Sequence, residues 1–154
     1  MVTSEIRQIV ASSPLFNGLK SESISDILDS SQEISFESGQ LIMSEGDRFG
    51  NLYIITEGEV QIEKEDKESG EVKVFHTRKI GASLGEMSLI DMNNRSATVR
   101  AKTSVKAISI KSELMSTLFD QDPKILTSIA INIAKILSER LREADEIISN
   151  RPLP

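Results

Sequence analysis

Between Glu33 and Ile110 the chain is cut into short apolar alternations by turn residues, and this punctuation limits the fold more than any other feature. Ile34 and Phe36 alternate before Glu37-Ser38-Gly39, and Leu41 and Met43 before Ser44-Glu45-Gly46-Asp47. Leu52 to Ile55 is strongly strand-forming and ends at Glu57-Gly58. Val60 and Ile62 lead into a polar hairpin, Glu63 to Glu71, with Ser69-Gly70 at its tip. Val72, Val74 and Phe75 return, and Lys79-Ile80-Gly81-Ala82 turns again. Ala97, Val99 and Ala101 alternate, and Val105, Ala107 and Ile110 form a last strand. A period of two buries one face of each strand. Many short antiparallel strands at this spacing predict a small barrel or jelly roll.

Helical spacing flanks this region on both sides. Ile6, Ile9 and Val10 mark a short helix over 3–11, broken by Ser13-Pro14-Leu15-Phe16. Ser21 is the expected cap of a second helix reaching about Ser30, with Ile24, Ile27 and Leu28 on one face. Helix resumes at Ser112, and Asp122-Pro123 is a cap followed by proline at the first helical position. A long helix is predicted from Pro123 to Ser149, roughly 40 Å at 1.5 Å per residue. Lys135/Glu139 and Arg142/Glu146 are expected i,i+4 ion pairs on it. It carries two apolar stripes: Ile125, Ile129, Ile133 and Ile136, and Ala130, Ala134, Leu137, Leu141, Ala144 and Ile148. The second has coiled-coil spacing, so a homodimer through this helix is one expectation and a broad face buried within one chain is the other.

At 154 residues the chain suits one domain with a single core. It has no cysteine, which excludes disulfides and thiolate chemistry and fits a cytoplasmic protein. Its net charge of −6 opposes whole-chain attraction to nucleic acid or to an anionic membrane. The single histidine, His76, reads as a strand surface residue. One histidine without cysteine argues against a metal-dependent β-roll enzyme, and no nucleophilic triad is available, so no catalytic role is expected.

The stretch 85–99, GEMSLIDMNNRSATV, is chemically the most informative. It places a carboxylate, Glu86, and a guanidinium, Arg95, nine positions apart. A guanidinium pairs bidentately with phosphate, and a carboxylate accepts from hydroxyls. A ligand with a sugar hydroxyl and an anionic phosphate satisfies both; phosphate alone is repelled by Glu86. Small residues after Arg95 let backbone amides approach an anion, and the residues after Glu86 can start one helical turn with free amides.

The stretch resembles the phosphate-binding cassette of cyclic-nucleotide-binding domains: Gly85, Glu86, Leu89, Arg95, Ser96, Ala97 and Thr98 match in type and order. The run Phe36…Gly39…Ile42…Glu45-Gly46-Asp47, then Tyr53-Ile54-Ile55…Gly58…Val60, is similar to that family's sequence before the cassette. The resemblance implies a mainly β (α+β) fold. This is an antiparallel, jelly-roll-like β-roll, or double-stranded β-helix, with N-terminal helices and a long C-terminal helix. It implies a single domain over 1–154, with helices in 1–32, the roll in 33–111, the cassette at 85–98 and helices in 112–149. It implies that Glu86 takes the ribose 2′-hydroxyl and Arg95 the cyclic phosphate. Gly85, Met87, Ser88, Ser96 and Ala97 complete the cradle, and Arg140 on the last helix is a lid near the base. Ser96 matches the bacterial activators that use cAMP, so cAMP is expected ahead of cGMP, with no further cofactor. Those activators continue into a helix-turn-helix, whereas this sequence stops at Arg151-Pro152-Leu153-Pro154. The expected output is therefore a protein effector reached through movement of the last helix. A nucleotide-free interaction module and the sensor piece of a longer regulator are the alternatives.

Overall fold

The computed structural model describes residues 2–150; Met1 and the tail at 151–154, where the expectation of no helix-turn-helix was placed, lie outside the described residues. Two four-stranded antiparallel sheets face one another. The strands are β1 (Gln32–Phe36), β2 (Leu41–Met43), β3 (Leu52–Glu57), β4 (Val60–Glu65), β5 (Val72–Arg78), β6 (Ser83–Leu84), β7 (Thr98–Ala101) and β8 (Val105–Ile110). One sheet runs β1-β8-β3-β6 and the other β2-β7-β4-β5. The helices are α1 (Ser4–Ala11), α2 (Ser21–Asp29), α3 (Ser88–Asp91), α4 (Ser112–Gln121) and α5 (Pro123–Ser149), with a 3-10 turn at Pro14–Phe16. This is the expected β-roll with helices at both ends. The strand β6 was missed, because two residues are too few for a period to show.

Why β3 and β8 read as nearly continuous apolar runs is explained by their neighbours. Leu52, Ile54, Ile108 and Ile110 point out of the roll and pack with Val10, Phe16, Ile27, Met115 and Ile129 of the helical layer. Ile55 and Val105 point inward and meet Phe36, Met43, Val60, Leu84, Val99 and Ala101. These two strands are covered on both faces, while β1 at the sheet's edge is mostly exposed. The other sheet has one solvated face, and Val72, Val74 and Phe75 lie exposed on its edge strand β5. Inside it, buried Glu63 accepts from Gln61 Nε2 at 2.8 Å and from Arg100 Nε at 3.0 Å. Burial acts to raise its pKa, but these two donors outweigh burial and hold the carboxyl below its ordinary range.

The helix ends follow capping chemistry with one correction. Asp122 caps α5 by accepting from the Lys124 amide at 3.0 Å, with Pro123 in the first turn as predicted. In α2 the cap position falls on Lys20 and makes no side-chain bond; Ser21 is already helical, and its carbonyl accepts from Ser25 Oγ. Along α5, Ile125, Ile129 and Ile133 are buried and Ile136 partly so, while Leu137, Leu141 and Ile148 of the second stripe are exposed. Asn132 lies among the buried isoleucines and donates to the carbonyls of Leu15 at 2.9 Å and Asn17 at 2.8 Å, tying α5 to the 3-10 turn. Neither expected i,i+4 pair forms among the described residues; Arg142 turns back to Glu139 at 3.8 Å instead, both on the solvated face. Exposed pairs of this kind are held weakly, so water and neighbouring charges decide their geometry.

Candidate functional site

The segment between β6 and β7 leaves one sheet and enters the other, and its backbone is held by turns. Gly85 has φ +81°, a conformation that suits glycine, and an added Cβ there would run into Nη1 of Arg95. The short helix α3 follows and is closed by Met92 in the left-handed region. Leu89 of α3 packs on the helical core. Arg95 is fastened by reciprocal backbone bonds to the Ser44–Asp47 turn: its amide donates to Asp47 O at 2.8 Å, and its carbonyl accepts from the Gly46 amide at 2.8 Å. Thr98 Oγ1 accepts from the Glu45 amide at 3.0 Å. The glycine-centred turn read from the sequence therefore serves as the brace for Arg95.

The Arg95 side chain is 8 % exposed and lies along backbone carbonyls, Nη2 donating to Asn51 O at 2.6 Å and Nη1 to Gly85 O at 3.4 Å. Among the described residues it has no carboxylate within ion-pair distance. Burial pulls its pKa below the ordinary guanidinium value, opposed by the nearby Tyr53, Asp47 and Glu86. Glu86 is 1 % exposed. Its Oε1 lies 2.6 Å from Arg140 Nη1, a close ion pair without hydrogen-bond alignment, so neither carboxylate oxygen receives a directed donor from the described residues. Arg140 Nη2 also reaches Ser83 O at 3.5 Å.

All eight residues singled out from the sequence, Gly85, Glu86, Met87, Ser88, Arg95, Ser96, Ala97 and Arg140, line one cavity of about 150 Å³. The apolar wall comes from Met43, Ile62, Leu84 and Val99. Arg78 and His76 of β5 line it too. His76 is thus half-buried in the cavity wall, where the sequence reading had it on the strand surface. Its Nδ1 lies 3.5 Å from Glu143, which also pairs with Arg78 at 3.0 Å. Arg78 chiefly holds the Glu143 carboxyl below its ordinary range. The sequence alternation gave no sign of these two: the register of β5 shifts between Val74 and His76, so His76 and Arg78 face the cavity while Val72 and Val74 lie exposed. Asn51 acts through its carbonyl, so its side chain gave no sign of the role.

Comparisons with known proteins show the family and the fold. A profile described as the cyclic nucleotide-binding domain matches residues 33–122, more than half of the chain. The chain belongs to the cyclic nucleotide-binding domain family. It is similar to the cyclic AMP receptor protein of Thermus thermophilus, 31% identical over 137 residues, covering 86% of this chain and 59% of that protein. It is also similar to the cAMP-dependent protein kinase regulatory subunit of Emericella nidulans, 36% identical over 97 residues, covering 63% of this chain and 23% of that protein. The chain therefore spans under two thirds of either relative. Among solved structures, a cyclic nucleotide-binding domain from Methylobacillus flagellatus superposes with TM-score 0.82 at 26% identity, covering 97% of this chain and 84% of that one. No helix among the described residues is long and apolar enough to cross a membrane.

Proposed function

We propose that this cyclic nucleotide-binding domain is a sensor for a cyclic purine nucleotide, cAMP ahead of cGMP, and that it signals through α5 to a protein effector. The observation that carries the reading is the pairing of a buried Arg95 guanidinium that lacks a carboxylate partner with a buried Glu86 carboxylate that lacks aligned donors. A buried guanidinium without an anionic partner is costly, and so is a buried carboxylate whose oxygens accept no aligned hydrogen bond even beside Arg140; a ligand bearing phosphate and hydroxyl supplies what each lacks. Arg95 takes the phosphate, with Ser96 and the Ala97 backbone beside it; Glu86 takes the ribose hydroxyl at the N-terminal end of the cradle formed by Gly85, Met87 and Ser88. The names of the two relatives, which carry cyclic AMP, support cAMP over cGMP.

The proposed signal is a shift in the placement of α5. Ligand cavities are typically about 300–1,000 Å³, so a cavity of about 150 Å³ has to open for a nucleotide. Arg140 is the side chain in its way and stands on α5, which links occupancy of Glu86 to the helix. A ligand shifts such an equilibrium only by its difference in affinity for the two placements. The exposed stripe Leu137, Leu141 and Ile148 supports a second copy packing on α5. The reading is of a cytoplasmic, non-enzymatic regulator without nucleic-acid contact.

Calorimetry with cAMP and cGMP on the parent and on Arg95→Ala tests the proposal. Each charge-assisted hydrogen bond contributes about 1.5–3 kcal/mol, so Arg95→Ala is expected to weaken binding roughly ten- to a hundredfold. Equal affinity in the two proteins would remove the central claim. The narrowness of the cavity favours a second reading, an interaction module without nucleotide; no heat with either nucleotide at millimolar concentration would select it.

A further inference from the structure

The apolar attachment of α5 ends at Ile133, with Ile136 only partly buried, and no residue from Leu137 to Asn150 is buried. Beneath this point lies a second cavity of about 300 Å³, with Ala82, Asn132 and Ile136 among its walls. Among the described side-chain contacts, what reaches from the second half of α5 to the roll is ionic or polar. It comes from two residues one turn apart, with opposite polarity. Arg140 is the cation of its pair with Glu86 at 2.6 Å. Glu143 is the anion of its pair with Arg78, Nη2–Oε2 3.0 Å and Nη1–Oε1 3.5 Å, and also lies 3.5 Å from His76 Nδ1. Two contacts of reversed charge admit one register. Sliding α5 by a turn would set Arg140 against Arg78, or Glu143 against Glu86.

We infer that Glu143 is a positioning residue, whose grip on Arg78 and His76 of β5 sets where α5 stands and so delivers Arg140 to Glu86. The inference rests on the nucleotide reading for its purpose but not for its geometry. When a ribose hydroxyl claims Glu86, the Arg140 tie is the one that changes. Glu143 has no atom in the narrow cavity's lining and keeps its partners on β5. The helix then turns about a retained contact instead of swinging free.

The chain contains no cysteine, so a spin-label pair introduced by Lys111→Cys and Ser149→Cys reports the placement of α5 against the roll without background. Pulsed electron resonance on the nucleotide-free protein is expected to give a narrow distance distribution in the parent and a broad one in Glu143→Gln. The charge-swapped double variant Arg78→Glu/Glu143→Arg is expected to restore the narrow one. Calorimetry on the parent and Glu143→Gln is expected to show cAMP bound about two- to fivefold more weakly by the variant, as for loss of a half-exposed ion pair. A narrow distribution in Glu143→Gln, or a double variant as broad as the single, overturns the positioning role. Absence of heat from cAMP and cGMP with the parent itself overturns the nucleotide reading instead, while the distances still decide the role of Glu143.

Discussion

Gly85→Ala separates the two demands that the cradle places on one residue. The backbone there has φ +81°, which costs a residue with a Cβ about 1–2 kcal/mol. For a chain of this size that lowers Tm by roughly 3–6 °C. The new methyl also meets the Arg95 guanidinium, with Nη1 and Cζ as its nearest neighbours. A long side chain yields more readily than backbone, so Arg95 is expected to move and lose its bonds to Gly85 O and Asn51 O. With the phosphate donor displaced, affinity is expected to fall about ten- to a hundredfold. Gly81→Ala is the control: φ is +87°, and an added Cβ has nothing within 4 Å. It should lose similar stability yet bind nucleotide as the parent does. Thermal unfolding and calorimetry on both variants read the two quantities separately. If Gly85→Ala binds as tightly as Gly81→Ala, the claim that Gly85 is needed to seat Arg95 is refuted.

Acid should unfold the protein in a specific window. The carboxyls of Glu63 and Glu143 are both held below their ordinary range, so their contribution is complete above about pH 4.5 and is lost as pH falls through their depressed folded values. Urea midpoints measured from pH 7 to pH 3 should fall on the acid side, less steeply in Glu63→Gln; a midpoint that rises below pH 4.5 contradicts this. Arg140→Gln leaves the buried Glu86 carboxylate without its cation, and a Tm drop relieved by adding cAMP is expected; an unchanged Tm would show that the pair contributes nothing. Leu141 is 63 % exposed, and Leu141→Glu should convert a dimer to monomer in light scattering; a parent already monomeric at high micromolar concentration sinks the dimer.

The roll was legible because β1, β4 and β7 alternate in sequence between turn residues, and the stretch 85–98 because its side chains carry the charges. Arg140 came from the resemblance to the bacterial activators, counted from the Asp122-Pro123 start of the helix. What stayed hidden works through backbone or through partners distant in sequence. The carbonyl of Asn51 could belong to any residue. Glu143 looks like one of many solvated helix carboxylates until β5 is laid beside it, and His76 was hidden by the register shift on β5, which turns it inward while Val74 and Phe75 lie exposed. Asn132 broke an otherwise apolar stripe, and the carbonyls it satisfies lie far back at Leu15 and Asn17.

The pairing of β1 with β8, Phe36 opposite Val105 and Gln32 opposite Ser109, has a consequence for synthesis on the ribosome. β8 lies between β1 and β3, so β1 has no partner, and β3 only the two-residue β6, until the last strand of the roll has emerged. Pairings this far apart in sequence form slowly and leave apolar strands uncovered meanwhile. The Asn51 carbonyl that bonds Arg95 lies just before β3 and is placed by the pairing of β3 with β8, Leu52 against Ile110. A nascent chain cut short before Ile110 would therefore carry every residue of the cassette and still have no receptor.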